Sequence, residues 1–200
     1  WRVYAERQKA AQVETTFSIP HLFDGDQEFR PNAVADRADG FGASLTLRGN
    51  QPVSHTVQFG EETTLEAAGG DFRYGRGSAT VRAIVTPKAV LAFAFEASAG
   101  TTTGTVPVQG RYYLGGPATL RGYHGAVTAG DSYWRGRLEV GNTFPAARIT
   151  LFTDVGWAGA RSGFWNGKPL VGSGVGASFL DGLIRLDLAR GMRTPKGWRF

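Results

Sequence analysis

Three charged side chains carry the most specific chemistry in this sequence: Arg121, and downstream of it Glu139 and Asp154. Arg121 stands in a glycine-rich stretch, Tyr112-Tyr113-Leu114-Gly115-Gly116-Pro117-Ala118-Thr119-Leu120-Arg121-Gly122-Tyr123. A guanidinium taken partly out of water needs a carboxylate, and its planar fork suits one well. Gly122 lets the backbone turn tightly beside it. This is pairing chemistry rather than catalysis. Other candidates are weaker. His21, His55 and His124 are dispersed and lack ligand spacing. Asp24-Gly25-Asp26-Gln27-Glu28 lacks the full calcium-loop spacing and reads as a solvated loop. Gly172-x-Gly174-x-Gly176 mimics a dinucleotide fingerprint, but no helix follows it, and its glycines fall on one strand face. There is no Cys, no Gly-x-Ser-x-Gly elbow and no pair of catalytic carboxylates. The expectation is a protein that is not an enzyme, with no metal ligands and no cofactor.

Strands must position these residues. Apolar and polar residues alternate with a period of two almost everywhere, and helical periodicity is nearly absent. The pattern predicts strands at 41–48, 56–67, 77–86, 89–98, 134–142, 149–157, 171–179 and 183–189. The first nineteen residues also read as extended. In 149–157 one face carries Ile149, Leu151, Val155 and Trp157, and the other carries Phe152, Asp154 and Gly156. In 134–142 the apolar face is Trp134, Leu138 and Val140, against Arg135, Arg137 and Glu139. In 183–189 Ile184, Leu186 and Leu188 oppose Arg185 and Asp187. Short turns are expected at 49–53, 87–88, 145–146 and 180–182, and longer links at 20–40, 100–130, 159–169 and 191–196. The link at 68–71 is tight. Short and long ends otherwise alternate, as in a meander with one trimmed rim and one elaborated rim.

Composition narrows the class. The 200 residues include 42% hydrophobic and 29 Gly, with a net charge of +5. Mean hydropathy is −0.21, which suits a soluble protein. It suits a membrane barrel equally, because only every second strand residue meets lipid. No run approaches the roughly 18 apolar residues of a membrane helix. The basic residues are scattered without a cluster, so nucleic acid is not an expected partner. Alternation alone leaves a soluble sandwich or lipocalin-like barrel open. Gly and opposite charges on the polar faces suit a lumen. Trp134 and Trp157, near strand ends on the apolar face, suit anchors at the lipid interface.

The stretch from Gly115-Gly116 through Leu120 to Arg121-Gly122-Tyr123 resembles the sixth surface loop of the BamA/TamA superfamily, the bacterial surface antigen barrels. In that family the loop folds back into the barrel and its Arg meets acids on the wall. Phe152-Thr153-Asp154-Val155-Gly156 is similar to the family's Phe-x-Asp-x-Gly wall motif, and Glu139 precedes it in the expected order. The resemblance is firm over residues 111–190 and close to barrels fused to patatin-like proteins. It implies an all-β fold: an antiparallel up-and-down transmembrane β-barrel of the bacterial outer membrane. About nine or ten strands are legible, against about sixteen in the family. Residues 1–200 would be the C-terminal part of such a barrel, beginning near its seventh strand, with an inward loop at about 100–130. Pro195 is a poor strand residue, and residues 197–200 are less than half a crossing. Phe200 therefore reads as a truncation point. A half barrel has open edges in lipid and would need completion by further sequence or a second copy.

The resemblance implies insertion or translocation of proteins at the outer membrane. The expected partners are outer-membrane lipids, lipopolysaccharide among them, and client outer-membrane or secreted polypeptides. A structural anchor for a fused passenger and a passive pore are the alternatives. Arg121 is expected to pair with Asp154, with Glu139 as a second acid, and Tyr123 to pack near Phe152.

Overall fold

A computed structural model describes residues 1–9, 37–144, 146–180 and 183–199. The sequence alternation becomes long antiparallel strands: β1 (Arg2–Lys9), β2 (Arg37–Ser54), β3 (Val57–Gly70), β4 (Tyr74–Lys88) and β5 (Leu91–Gly104). The chain then leaves the sheet and forms a small hairpin of β6 (Tyr112–Leu114) and β7 (Thr128–Gly130). It returns as β8 (Ser132–Gly141), β9 (Ala147–Gly159), β10 (Leu170–Phe179), β11 (Ile184–Gly191) and β12 (Gly197–Arg199). Ten strands form one sheet in chain order, with the hairpin set apart. The architecture is therefore all-β and up-and-down, as the alternation implies.

The two faces have opposite chemistry. Leu45, Leu65, Phe95, Leu138, Leu151 and Leu186 are among many large apolar side chains left exposed on one face. In water so broad an apolar surface would be a liability, whereas lipid solvates it. The other face is polar and cross-linked between neighbouring strands. Thr46 meets Thr64 at 3.2 Å, and Thr80 donates to Ser98 at 2.9 Å. Arg48 lies 2.9 Å from Glu62, and Arg82 and Arg135 each lie 2.5 Å from Glu96. Apolar outside and polar inside removes the soluble sandwich alternative, in which the polarity is reversed.

Several boundaries differ from the sequence expectation. No turn forms at 49–53. β2 continues to Ser54, and the reversal falls at residues 55–56. Gly49 and Pro52 suggested a turn, but Pro52 sits at the sheet rim beside a register shift between Pro52 and Ser54. A rim bulge is where a strand tolerates Pro. The turn expected at 87–88 falls instead at residues 89–90, again beside a register shift, between Val85 and Lys88. β2, β4 and β5 also run further toward the long-link rim than the pattern suggested. Of the nineteen extended residues expected at the start, β1 accounts for Arg2–Lys9. Residues 10–36, with His21 and the acidic run at 24–28, lie outside the described residues, as do Pro145, the turn residues 181–182, and Phe200.

Candidate functional site: a loop latched to the polar wall

The long link between β5 and β8 lies across the polar face. Its hairpin seats first. The Tyr112 hydroxyl donates to the Gly77 carbonyl of β4 at 2.7 Å, and the Arg76 guanidinium sits 4.4 Å from the Tyr112 ring centroid. Leu114 is 2% exposed and reaches Gly156 of β9: a Cβ there would lie 3.1 Å from Leu114 Cδ1. Next, Gly115 and Gly116 carry positive φ and open a tight turn. The Thr119 hydroxyl lies 2.8 Å from both the Gly115 N–H and the Gly115 carbonyl, and the Gly116 carbonyl accepts from the Leu120 N–H at 3.0 Å. Leu120 is fully buried. This turn projects Arg121 at the wall.

Arg121 is 2% exposed and Asp154 is 0% exposed, so their pairing is shielded from water. Asp154 Oδ2 accepts from the Arg121 backbone N–H at 3.0 Å and from Nε at 2.8 Å. Asp154 Oδ1 accepts from Arg121 Nη2 at 2.6 Å and from Arg137 Nε at 3.1 Å. A carboxylate offers about four lone-pair sites, and all are used. Arg121 Nη1 donates to Glu139 Oε1 at 2.5 Å. The same oxygen accepts from Arg185 Nη2 at 2.9 Å, and Arg185 Nε reaches Asp187 at 3.1 Å. Asp187 Oδ2 lies 3.9 Å from Arg121 Nη1. Three arginines thus face three acids, and the cluster around the buried Arg121 and Asp154 is neutral overall. Burial alone would lower the Arg121 pKa. Hydrogen bonds and charge from Asp154, with Glu139 behind, more than offset this and raise it. The guanidinium carbon also lies 3.5 Å from the Phe152 ring centroid, a cation–π contact.

Phe152 is therefore the platform under Arg121. Tyr123, expected beside Phe152, goes elsewhere. Its hydroxyl lies 2.9 Å from the Val171 carbonyl and 3.2 Å from that of Arg193, and it accepts from the Arg193 N–H at 3.0 Å. The loop thereby reaches from β4 to the link after β11. Gly122, at φ +85°, lies against the backbone of Arg190 and Gly191. Tyr123→Phe should weaken loop docking by about 1 kcal/mol, the net worth of such a hydrogen-bonded group. The check is faster hydrogen exchange at the loop amides with the sheet unchanged.

Arg137, Arg185 and Asp187 join the cluster although only their strand face was read from the sequence. Arg137 also grips the loop itself, with Nη2 3.3 Å from the Pro117 carbonyl and 3.4 Å from that of Ala118. Arg135 Nη1 reaches the Ala118 carbonyl at 3.3 Å. Trp134 and Trp157 are the residues expected as anchors at the lipid interface. They pair across β8 and β9 on the outer face, but the β9–β10 link folds over them. Trp134 Nε1 donates to the Phe164 carbonyl at 3.1 Å, and Trp157 is only 8% exposed, edge-on to Phe164. Trp165 is the indole left outside, at 88% exposure. The three glycines at 172, 174 and 176 lie within β10, where Gly172 meets the Arg121 carbonyl. Among the described residues no His, Cys, Asp and Glu group has the makings of a metal site.

A family model described as haemolysin secretion/activation protein ShlB/FhaC/HecB matches residues 32–179. Among solved structures, the chain is similar to CdiB from Acinetobacter baumannii, with a TM-score of 0.67 and 19% identity. The similarity covers 81% of this chain and 32% of CdiB, and at that identity it concerns the fold. No curated protein matches significantly. These matches narrow the resemblance, from the broad assembly and translocation superfamily to its secretion proteins.

Proposed function

The chain belongs to the haemolysin secretion/activation protein ShlB/FhaC/HecB family, and from that premise we propose that it lines an export path for a secreted client polypeptide, with the Arg121 loop latched on the inner wall. Its place is the bacterial outer membrane. The observation that carries the reading is the buried fork between Arg121 and Asp154, which fixes a long link against the polar face. An anchor barrel would explain the apolar outer face but not a latched loop.

The rest of the inner wall supports transport. Arg48 and Arg82 on β2 and β4 keep their side chains 72% and 54% exposed beside Glu62 and Glu96. They border a hollow of about 320 Å³ of mixed lining near the short-turn rim. Hydroxyls and charges of both signs can solvate an extended chain without holding it tightly. Client recognition would then follow from the many weak polar contacts that one strip of wall offers.

The test is co-expression of the whole protein, in a Gram-negative host, with an exoprotein from the same genome. The expected result is exoprotein in the medium only when the transporter is present. Export that continues undiminished after its deletion would refute the reading.

A further inference from the structure

The outer face carries a groove that the export reading does not use. Its floor is made of small residues in register across three strands. Ala79 of β4 faces Ala99 of β5, and Ala97 faces Gly136 of β8. The next outward pair toward the short turns is bulky, Phe95 against Leu138. The dent therefore lies toward the rim of the long links. One wall is Val81. The opposite wall is built by Trp134, Val155 and the folded-over β9–β10 link, through Phe164 and Trp165. Phe164 and Trp165 meet edge to face at 4.9 Å, and the Trp134 hydrogen bond to the Phe164 carbonyl ties the link down. The groove is open to the outside and holds about 630 Å³, within the usual range of small-molecule sites.

Water is an unfit occupant of a groove floored by Ala and Gly and walled by indole and phenyl rings. In the membrane, only acyl chains reach it. The link that walls it also carries two cations, Arg161 and Lys168, on either side of Phe164 and Trp165 in the chain. Both are exposed, and neither has an ion-pair partner among the described residues. Long links mark the outward rim of an outer-membrane barrel. An apolar slot whose walling link also carries two exposed basic groups, at that level, fits a phosphate-bearing lipid standing in the outer leaflet.

We propose that the groove between Ala79, Ala97, Ala99 and Gly136 and the Phe164-Trp165 wall holds an acyl chain of a lipid A-class glycolipid, whose phosphates meet Arg161 and Lys168. The groove faces lipid, so the inference rests on the chain's place in the outer membrane. It is independent of the latch on the other side of the wall.

The test uses the whole protein reconstituted in phosphatidylethanolamine–phosphatidylglycerol vesicles containing lipid A. It is re-extracted in mild detergent, and retained lipids are counted by native mass spectrometry. Wild type should retain lipid A in preference to both phospholipids. Ala97→Phe with Ala99→Phe fills the slot from positions that already face lipid, and should abolish retention. Arg161→Glu with Lys168→Glu should lower lipid A retention at least about tenfold, as expected for two surface cations against an anionic lipid, and leave phosphatidylethanolamine unchanged. Heat-modifiable gel migration checks that each variant is folded. Undiminished lipid A retention in the filled variant overturns the proposal, and so does phosphatidylglycerol retained as tightly as lipid A. Export by the same variants is scored separately, so a failed lipid site and a failed transport reading give different results.

Discussion

Asp154→Ala should release the loop from the wall and open the lumen. Removing one partner of a buried pair costs about 3–5 kcal/mol, because the other charge stays behind without compensation. Here two charges stay behind. Arg121 and Arg137 share Asp154 Oδ1, and without the carboxylate they face each other in a site shielded from water. Glu139 compensates only in part, since its single charge is already shared between Arg121 and Arg185. Undocking is the cheapest relief, as it returns Arg121 to water. At about 1.4 kcal/mol per tenfold, the undocked fraction should rise by two orders of magnitude or more. Trypsin reads this directly, because the Arg121–Gly122 bond is protected only while docked. Channel conductance in planar bilayers should rise in parallel. Glu139→Gln should act in the same direction but less, because Asp187 still holds Arg185 and Asp154 still holds Arg121. Arg121→Ala combined with Asp154→Ala should cost less than the sum of the two single changes, since only Arg137 then stays behind without its carboxylate. Unchanged cleavage and conductance in Asp154→Ala would mean that the loop is held by something other than this fork.

Much of this site can be read from residue types because a strand reports its own faces. Alternation puts Glu139, Phe152, Asp154 and Gly156 opposite Leu138 and Leu151, and the strands observed present them that way. The same rule places Arg137, Arg185 and Asp187 inward. It does not tell which of them meet, because alternation gives the face of a residue and not its height on the wall. Height depends on register, and register is fixed by pairings such as Arg137 with Asp154 across β8 and β9. Other features are illegible for a related reason. β6 and β7 are three residues each, too short to show a period. Gly49 and Pro52 look like a turn, yet β2 absorbs them at a bulged rim. The covering of Trp157 depends on how the β9–β10 link folds back, which no local pattern records. The anchoring of Tyr123 on Val171 and Arg193 is likewise a matter of how the loop lies on the wall, which its own residues do not record.

A second variant separates the fork from the fit of the loop as a whole. Gly172→Ala leaves every charge in place. Gly172 lies on the inward face of β10, and a Cβ there would stand 1.9 Å from the Arg121 carbonyl oxygen. Both atoms belong to rigid backbone, so no side-chain rotation relieves the overlap. The loop must move away, and a shift of that size stretches the donors that Arg121 aims at Asp154, the backbone N–H included. Overpacking typically costs about 1–3 kcal/mol, occasionally more, and a contact this short belongs at the upper end. The sheet itself is spared, because the clash is with the loop rather than with a neighbouring strand. Gly174→Ala offers the contrast, since its Cβ would stand 2.1 Å from the Leu188 carbonyl oxygen of β11 and would disturb the barrel wall. Gly172→Ala should therefore show trypsin cleavage after Arg121 with normal heat-modifiable migration, whereas Gly174→Ala should lose the migration shift. If Gly172→Ala is cleaved like Asp154→Ala, docking requires the backbone fit and the ion pair together. Wild-type protection in Gly172→Ala would show that the loop does not rest against β10 in the membrane, and the latch would then reduce to the Arg121 side chain alone.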